Sequence, residues 1–391
     1  MTWPTVALGD VAHINPRGQR LNEEASVSFV GMAQLDAVSA LAVPLENRSF
    51  GKVSVGYTQF QDGDILAAKI TPCWENGKIG IAKLDREVGV GSTEFHVVRP
   101  GPEVDKRYIL HFLRQDSIRK TGELRMTGSA GQRRVPAKYL MDLGVPLPSL
   151  EEQRRIAAIL DQADAIRAKR RQVLKGLDAL VVAQVNTLLD GALGGPTTTL
   201  GEVADMRAGR NLVADDLEAE SEYTVLKISS VTSGTFRPAE TKPLPWGYIP
   251  PREHMVVDGD LLMSRANTTE LVGASALAAS VGANVALPDK IWRFEWRDPR
   301  SDSHFYQALL SAPISRRQIS QAASGTGGSM KNISKEKLKG VRIPWVEFET
   351  QKNFGDVVRS IRERQHRVAA ALKQDDALFS SLQFRAFKGE L

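Results

Sequence analysis

The feature of this chain that most constrains its fold is an internal duplication with a period close to half its length. Four short segments of the first half recur in the same order in the second half, at an offset that grows slowly along the chain. They are LGDVA at 8–12 with LGEVA at 200–204, DGDIL at 62–66 with DGDLL at 258–262, LP at 147–148 with IP at 343–344, and DAL at 178–180 with DAL at 376–378. Duplication followed by small insertions leaves such a pattern, because chance matches do not keep a common order. We therefore expect two similar folding units.

Each half ends in a long stretch without helix breakers. Residues 151–189 contain one glycine and no proline, and the same is true of residues 347–387. Strong helix formers over such lengths predict one long helix in each half. Apolar residues recur at alternating steps of four and three, as in Ile156, Leu160 and Ala163, which is typical of a coiled coil, although Arg167 interrupts the first series.

Two helices of this kind either pair with each other or pack separately, each on its own globular domain. A helix of about 39 residues extends about 60 Å, since each residue adds about 1.5 Å, and this exceeds the width of a small domain. We therefore predict that the two helices pair as an antiparallel coiled coil.

The remainder of each half mixes short β-rich runs with turn residues. In the first half the runs are 27–30, 79–84 and 95–98, and a helical stretch lies near 108–119. The sequence therefore predicts an α/β fold, with two pseudo-repeated α/β domains separated by the two long helices. The boundaries we predict are 1–148 for the first domain, 149–195 for the central helix, 196–346 for the second domain and 347–391 for the C-terminal helix.

Motifs that mark catalytic or metal sites are missing from the sequence. There is no glycine–lysine phosphate loop, no His-Glu-x-x-His zinc motif, no Gly-x-Ser-x-Gly nucleophile motif and no Asn/Asp-Pro-Pro-aromatic motif of amino-methyltransferases. The single cysteine, Cys73, cannot form an internal disulfide, which indicates a reducing compartment. The sequence has no run of about 18 apolar residues and no signal-peptide pattern. We therefore expect a non-enzymatic, cytoplasmic chain that does not enter a membrane.

Local clusters of basic residues, rather than bulk charge, point to nucleic acid as a partner. The net charge is only +5, but residues 119–138 hold six basic residues against one acid, and residues 316–342 hold seven against one. A polar loop also follows each Asp-Gly-Asp turn, at 69–78 and at 264–269. Arg and Lys neutralise phosphates, and Arg, Asn and Gln read base edges through paired hydrogen bonds.

The alternative is that these loops are simply solvated, and their recurrence in both halves argues against it. The candidate DNA-contacting residues are Lys69, Thr71, Asn76, Lys78, Ser129, Gln132, Arg133, Arg134, Ser264, Arg265, Asn267, Thr268, Ser329, Lys331 and Asn332.

Four passages make the chain resemble the specificity subunits of type I restriction–modification systems. They are VPLPSLEEQRRI at 145–156, where the central helix is expected to begin, LQFRAFKGEL at 382–391, LGDVA at 8–12 and LPDK at 287–290. The resemblance extends over essentially the whole chain. One departure is the second junction, WVEFETQ at 345–351, which is two residues longer than its first-half counterpart.

The resemblance implies a subunit with no catalytic activity of its own. Its two target-recognition domains would each bind one half of a split, asymmetric site on double-stranded DNA. The resemblance also implies two modification subunits, which carry S-adenosylmethionine and methylate adenine, and restriction subunits that use ATP and Mg to translocate and cut DNA. This chain itself is expected to bind no cofactor and no metal.

Two other functions stay open at the level of sequence. In one, the chain is the specificity subunit of a system whose nuclease is fused to the methyltransferase chain. In the other, it is a protein–protein scaffold that does not bind DNA. Binding to duplex DNA whose affinity falls steeply with salt favours DNA recognition over the scaffold.

Overall fold

The computed structural model describes residues 3–129, 131–192, 194–210, 212, 221–325 and 331–391. The chain divides into two compact units. Unit 1 comprises Met1–Gln172 with Ala369–Leu391, and unit 2 comprises Val173–Val368. Each unit holds one α/β domain together with a part of each of two long helices.

The first domain, in unit 1, contains a six-stranded mixed sheet and two smaller sheets. Its strands are β1 (Thr5–Ala7), β2 (Ala12–Ile14), β3 (Ser26–Val30), β4 (Leu35–Asp36), β5 (Leu41–Ala42), β6 (Glu46–Ser49), β7 (Thr58–Gln61), β8 (Ile65–Ala68), β9 (Ile79–Ala82), β10 (Val88–Gly91), β11 (Phe95–Pro100) and β12 (Gly144–Pro146). Its helices are α1 (Leu8–Val11), α2 (Lys106–Leu113), α3 (Asp116–Leu124) and α4 (Ala137–Met141). The six-stranded sheet has the order β2-β11-β8-β9-β5-β4, and the other sheets are β6-β3-β10-β7 and β1-β12.

Strand β8 is covered on both faces because it is apolar throughout. All four of its residues are buried. Successive side chains of a strand lie on opposite faces. Ile65 packs in the core that includes Tyr108 of α2, whereas Leu66 packs with Phe95 in a separate core. A short continuous apolar run therefore marks a strand that lies between two layers.

The second domain, in unit 2, has shorter strands. They are β13 (Thr197–Thr199), β14 (Ala204–Ala208), β15 (Thr224–Leu226), β16 (Thr241–Pro243), β17 (Leu261–Ser264), β18 (Ala266–Asn267), β19 (Ser275–Leu277), β20 (Val285–Ala286), β21 (Ile291–Trp296), β22 (Lys331–Asn332) and β23 (Arg342–Pro344). Its helices are α6 (Leu200–Val203), α7 (Ser303–Ser311), α8 (Pro313–Ala322) and α9 (Lys335–Lys339). We number the two long helices α5 (Leu150–Gly191) and α10 (Phe348–Ala386).

The two domains repeat the same strand pairing. The order β14-β21-β17-β19 in the second domain corresponds to β2-β11-β8-β9 in the first. The parallel pair β15–β20 corresponds to the parallel pair β3–β10, and β13-β23 corresponds to β1-β12. The predicted fold class and the internal duplication are therefore confirmed.

The helical stretch predicted near 108–119 consists of two helices. Helix α2 ends at Leu113 and α3 begins at Asp116, because Gln115 between them is extended, with φ −62° and ψ 137°. In the second domain Ala312 is extended in the same way, and Pro313 begins α8. Proline is well suited to the first turn of a helix, where its missing N–H is not needed.

The structure corrects one of the four sequence matches. Pro146 in β12 pairs with the first residue of β1, and Pro344 in β23 pairs with the first residue of β13. The counterpart of Pro344 is therefore Pro146, and the match to Pro148 is wrong by two residues. The sequence VPLP offers two prolines, and only strand register distinguishes them. With this alignment the two-residue excess at the second junction disappears.

A buried glutamine fixes each junction between a domain and its long helix. The Oε1 atom of Gln153 accepts a hydrogen bond from the N–H of Asp105 at 2.8 Å, and that of Gln351 accepts one from Asp302 at 3.4 Å. Asp105 and Asp302 in turn cap the N-termini of α2 and α7. The two glutamines are 0% and 2% exposed. Both long helices are therefore joined to their domains by the same contact.

Within unit 1 the two long helices run antiparallel. Arg155, early in α5, donates to the carbonyl of Leu391 at 3.0 Å, whereas Arg167, later in α5, pairs with Asp376 at 2.7 Å. The guanidinium of Arg167 also lies 4.2 Å from the centre of the Phe379 ring. Arg167 interrupts the apolar series because it makes an ion pair and a cation–π contact with the partner helix.

Within unit 2 the same two helices continue to pack together. The side chain of Gln365 donates to Asp178 at 2.7 Å, and Val185 and Val358 share one buried cluster. The predicted antiparallel pairing of the long helices is therefore confirmed. In the part of the chain that the structure describes, no helix has both the length and the apolar character needed to cross a membrane.

Candidate nucleic-acid interface

Two loops that are distant in the sequence meet in the first domain. Residues 69–78 connect β8 to β9, and residues 125–136 connect α3 to α4. The backbone of Arg134 forms antiparallel bridges with both Ile70 and Thr127. We call these two loops the first loop pair.

The second domain repeats this arrangement. Residues 265–274 lead from β17 to β19, and the described residues 323–325 and 331–334 lie between α8 and α9. We call these segments the second loop pair. Asn332 pairs with Ala266 and also bridges back to the start of its own loop, as Arg134 does in the first loop pair. The polar and basic stretches singled out in the sequence overlap these four loops, and those at 119–138 and 316–342 also extend into the flanking helices. The sequence did not predict that the loops associate in pairs.

Several exposed residues of the first loop pair carry polar side chains that make no side-chain hydrogen bond to another described residue. Ser129, Gln132 and Arg133 are exposed, and so is Asn76 on the other loop. Among the described residues, the guanidinium of Arg133 has no hydrogen bond and no ion pair. Arg133 is therefore available to an acceptor from outside the protein.

Arg134, the next residue, is held inside the fold. Its guanidinium forms two hydrogen bonds with Glu94, at 2.9 Å from Nε to Oε2 and 2.8 Å from Nη2 to Oε1. These bonds, together with the charges of Arg134 and Lys69, hold the pKa of the Glu94 carboxyl below its usual value. The pair therefore stays ionised at neutral pH, and Arg134 supports the loop more than it presents a free charge.

Two further candidates of the first loop pair also have internal partners. The ammonium of Lys78 donates to the carbonyl of Met32 at 2.8 Å. The hydroxyl of Thr71 donates to the carboxylate of Glu75 at 2.9 Å. Both side chains are half-buried. They help to fix the loop 69–78 rather than extend freely from it.

In the second loop pair, Thr268 and Asn332 are exposed, and Asn267 and Lys331 are half-buried. The ammonium of Lys331 donates to the carbonyl of Gly325 at 2.8 Å. This contact is a single hydrogen bond to a neutral acceptor, so the positive charge of Lys331 is not compensated by it.

Two of the other three candidates of the second half have internal hydrogen-bond partners. Ser264 is fully buried, and its hydroxyl donates to the carbonyl of Ala266 at 3.2 Å, so we exclude it from the proposed surface. Arg265 is half-buried and donates from Nε to the carbonyl of Asp289 at 2.6 Å. Ser329 lies outside the described residues.

A basic groove beside the second loop pair was not identified from the sequence. It has a volume of about 360 Å³, and four cations line it: Arg210, Lys227, Lys242 and Lys290. Asp289 also lines the groove, and its carboxylate lies 3.7 Å from the guanidinium of Arg265. The N–H of Arg265 donates to the carbonyl of Lys290 at 3.0 Å, so the groove adjoins the loop directly. The four cations come from separate segments, and of these only Lys290 lay within a passage that the sequence singled out.

Some of the basic residues counted in the sequence form ion pairs or hydrogen bonds within the protein. Lys339 pairs with Asp205 at 3.0 Å. Arg119 and Arg316 donate to carbonyl oxygens of the loops 69–78 and 265–274. The number of basic residues therefore overstates the charge that an external partner would meet.

Known proteins similar to this chain are DNA specificity subunits. Residues 1–176 match the family model described as the type I restriction modification DNA specificity domain. The chain is 28% identical to the type I restriction enzyme EcoEI specificity subunit of Escherichia coli, over 87% of this chain and 74% of that protein. It is 37% identical to the EcoAI specificity subunit of Escherichia coli, over 48% of this chain and 33% of that protein.

Two solved structures share the fold along almost the entire chain. The S subunit of a type I restriction–modification system from M. genitalium has a TM-score of 0.60 at 13% identity, covering 99% of this chain and 96% of that one. A chain of a type I R-M system, solved to explain complex assembly and conformational transition, has a TM-score of 0.58 at 18% identity, covering 100% and 98%. Residues 1–176 belong to the family of type I restriction modification DNA specificity domains, and the chain is similar to type I specificity subunits along most of its length.

Proposed function

We propose that this chain is the DNA-recognition subunit of its system and that each domain reads one half of a two-part duplex site. The observation that carries the proposal is the recurrence of the same loop pair, with polar and basic side chains, in both domains. Two similar readers in one chain suit a site with two separate halves. The two halves of the site would differ in sequence, because the side chains of the two loop pairs differ.

In the first domain, Arg133, Gln132 and Asn76 supply the groups best suited to base edges. Arginine recognises guanine and glutamine or asparagine recognises adenine through two hydrogen bonds each. Ser129 and Lys69 would add contacts to the sugar–phosphate backbone, which orient the protein without reading sequence.

In the second domain, Asn267, Thr268, Lys331 and Asn332 form the corresponding set. The adjacent groove with its four cations would hold the phosphate backbone of the same duplex. Each phosphate neutralised releases condensed counterions, so the affinity would fall as salt is raised. The second domain would therefore contribute more of the salt-dependent affinity than the first.

The chemistry of the complex would lie in other chains. We propose two methyltransferase subunits that hold S-adenosylmethionine, and restriction subunits that hold ATP and Mg, with no cofactor on this chain. Apolar side chains on the long helices support a docking surface for such partners: within unit 1, Ile166 is 45% exposed and Leu378 and Phe384 are each 57% exposed. Exposed apolar surface on a helix pair is typical of a protein contact. Methyl transfer by the purified chain alone, with S-adenosylmethionine supplied, would overturn the non-enzymatic assignment.

The proposal is tested by binding of the full chain to duplex DNA. Arg133→Ala is expected to cost about 1–3 kcal/mol of binding at one half of the site and none at the other. Lys331→Ala is expected to affect the other half, or to weaken all sequences alike if Lys331 contacts a phosphate. Lys83→Ala is the matched control, because Lys83 is an exposed cation of the first domain outside the loop pair.

Fluorescence anisotropy against duplexes at several salt concentrations measures both effects. If Arg133→Ala and Lys331→Ala leave the affinity and its salt dependence unchanged, the loop pairs do not contact DNA. If the wild-type chain binds duplexes with no salt dependence, or not at all, a scaffold function replaces the proposed one.

A further inference from the structure

We propose that Arg119 and Arg316 are positioning residues that hold the loops 69–78 and 265–274 in the conformation in which they meet DNA. Both were counted in the sequence as part of the basic clusters that would contact phosphates. Their contacts in the structure are instead with the loops themselves. The inference rests on the proposed function of the loop pairs, and it adds two residues that do not themselves touch DNA.

In the first domain, Arg119 joins helix α3 to the loop. Its Nη1 donates to the carbonyl of Glu75 at 2.5 Å, and its Nη2 pairs with Asp116 at 2.9 Å. In the opposite direction, the indole N–H of Trp74 donates to the carbonyl of Arg119 at 2.8 Å. Trp74 is fully buried. The loop is thus attached to α3 by one hydrogen bond in each direction and by a buried aromatic ring.

In the second domain, Arg316 makes the equivalent contact from helix α8. Its Nη2 donates to the carbonyl of Glu270 at 2.9 Å, and the nearby hydroxyl of Ser320 donates to the carbonyl of Thr269 at 3.1 Å. Arg119 and Arg316 are each the fourth residue of their helices. The two arginines occupy the same helix position and donate to the same kind of acceptor, a backbone carbonyl of the loop. Because the two domains have diverged, this agreement indicates a retained function.

A glycine with a positive φ lies against each arginine. Gly77 has φ +67°, and a Cβ there would lie 3.8 Å from Cδ of Arg119. Gly273 has φ +77°, and a Cβ there would lie 2.9 Å from Nη1 of Arg316. Glycine adopts this conformation without steric cost. Each arginine therefore lies on the turn at which its loop reverses toward the next strand.

The contacts of Arg119 and Trp74 connect the loop 69–78, through α3, to the long helices. Helix α2 precedes α3 directly, and Arg114 at its C-terminal cap pairs with Asp164 of α5 at 3.0 Å. Gln383 of α10 donates to the carbonyl of His111 in α2 at 2.9 Å. The position of the loop 69–78 is thus set, through α2 and α3, by the helices on which we propose the methyltransferase subunits to dock.

The positioning role and a phosphate contact predict opposite results. A side chain that neutralises a phosphate contributes about 0.9 to the slope of log affinity against log salt and affects all sequences alike. A side chain that holds a reading loop leaves this slope unchanged. Its loss should instead reduce discrimination, by about tenfold, at the half of the site which that loop reads.

The test uses the full chain and a randomised pool of duplex DNA from which bound molecules are sequenced. Arg119→Met is expected to lose about tenfold discrimination at one half of the selected site and Arg316→Met at the other, with unchanged salt slopes. Arg119→Lys and Arg316→Lys, which keep the positive charge and one donor nitrogen, serve as milder variants if the methionine variants unfold. Lys120→Met and Arg317→Met remove exposed cations from the neighbouring positions of the same helices and should leave the discrimination at both halves intact.

The outcomes separate this inference from the proposed function. If the wild-type chain selects no two-part site, the proposed function fails and the inference fails with it. If the wild type selects such a site but Arg119→Met and Arg316→Met retain full discrimination, lose it equally at both halves, or lower the salt slope by about 0.9, the inference alone is overturned. The inference is supported if each methionine variant loses discrimination at one half of the site only and keeps the salt slope of the wild type.

Discussion

The two recognition domains share one scaffold but differ in the charges around their loops. In the first domain the carbonyl of Glu94 accepts a hydrogen bond from Lys69, and in the second the carbonyl of Lys290 accepts one from Arg265. Glu94 and Lys290 therefore occupy structurally equivalent positions, and these carry an acid in the first domain and a base in the second. Backbone pairing determines where a residue lies, but it does not determine the charge of an exposed side chain.

The contact between each domain and a long helix shows the same contrast. In unit 1, Asp161 of α5 accepts hydrogen bonds from Arg107 at 2.9 Å and lies 2.7 Å from Nε2 of His111. In unit 2, Arg359 of α10 lies 3.6 Å from Asp302 at the start of α7. The acid is on the long helix in one case and on the domain in the other. Both contacts join opposite charges, but the acid and the base have exchanged sides between the two units.

The Asp-Gly-Asp turns differ in how completely their second aspartate is paired. Asp64 is 4% exposed and forms two hydrogen bonds with Arg99, at 2.8 and 2.7 Å. Asp260 lies 3.5 Å from Arg293, and burial raises the pKa of its carboxyl. One sequence motif therefore carries a strong ion pair in the first domain and a weak one in the second.

The largest expected effect concerns this pair of aspartates. Asp64→Asn should lower the free energy of unfolding by about 3 kcal/mol, because it leaves Arg99 without its partner charge. Asp260→Asn should lower it by about 1 kcal/mol or less, since the native environment already disfavours the charge. Urea unfolding of the full chain measures both. Equal losses would show that the two turns are energetically equivalent despite their geometry.

The second prediction concerns acid sensitivity at the contact between α2 and α5. Burial alone would raise the pKa of Asp161, but hydrogen bonds from His111 and Arg107 outweigh it and lower the pKa to about 2. A carboxyl with a lowered folded-state pKa stabilises the fold above its unfolded pKa, and this stabilisation is lost as pH falls toward the folded value. We expect Asp161 to contribute about 1–2 kcal/mol at pH 7, reduced by its partial exposure, and to lose it between about pH 4 and pH 2.

Thermal unfolding of the wild type and of Asp161→Asn at a series of pH values checks this expectation. The difference between the two proteins should be largest at neutral pH and should shrink below about pH 4. A difference that stays constant down to pH 2 would mean that the aspartate acts through packing rather than through its charge.

The smallest expected effect tests the contrast between Glu94 and Lys290, and it rests on the proposed function. Lys290→Gln should reduce the salt slope of DNA binding by about 0.9, the value for one phosphate contact. Glu94→Gln should increase the slope by up to about 0.9, because it releases the guanidinium of Arg134 from its ion pair. Lys83→Gln, outside the loops, should change neither. Slopes that move in the same direction for the first two variants would contradict the electrostatic difference between the domains.

The parts of this fold that local sequence determines were predicted well. Helix propensity and apolar spacing act over neighbouring residues, so α5 and α10 and their pairing could be recognised without a structure. The runs 27–30 and 95–98 lie within β3 and β11 for the same reason. The break between α2 and α3 at Gln115 was missed, because it follows from one extended residue in an otherwise helical stretch.

Only the tertiary structure decided which candidate residues are free and which are occupied. Arg133 and Arg134 are adjacent and chemically identical, yet Arg133 is exposed without a partner among the described residues and Arg134 is bound to Glu94. The sequence could not distinguish them, since Glu94 lies in the turn between β10 and β11, 40 residues before Arg134. The duplication, the long helices and the positions of the loops are therefore properties of the sequence. The pairing of the loops, the burial of Ser264 and the basic groove depend on contacts between distant segments, which leave no periodic trace in the sequence.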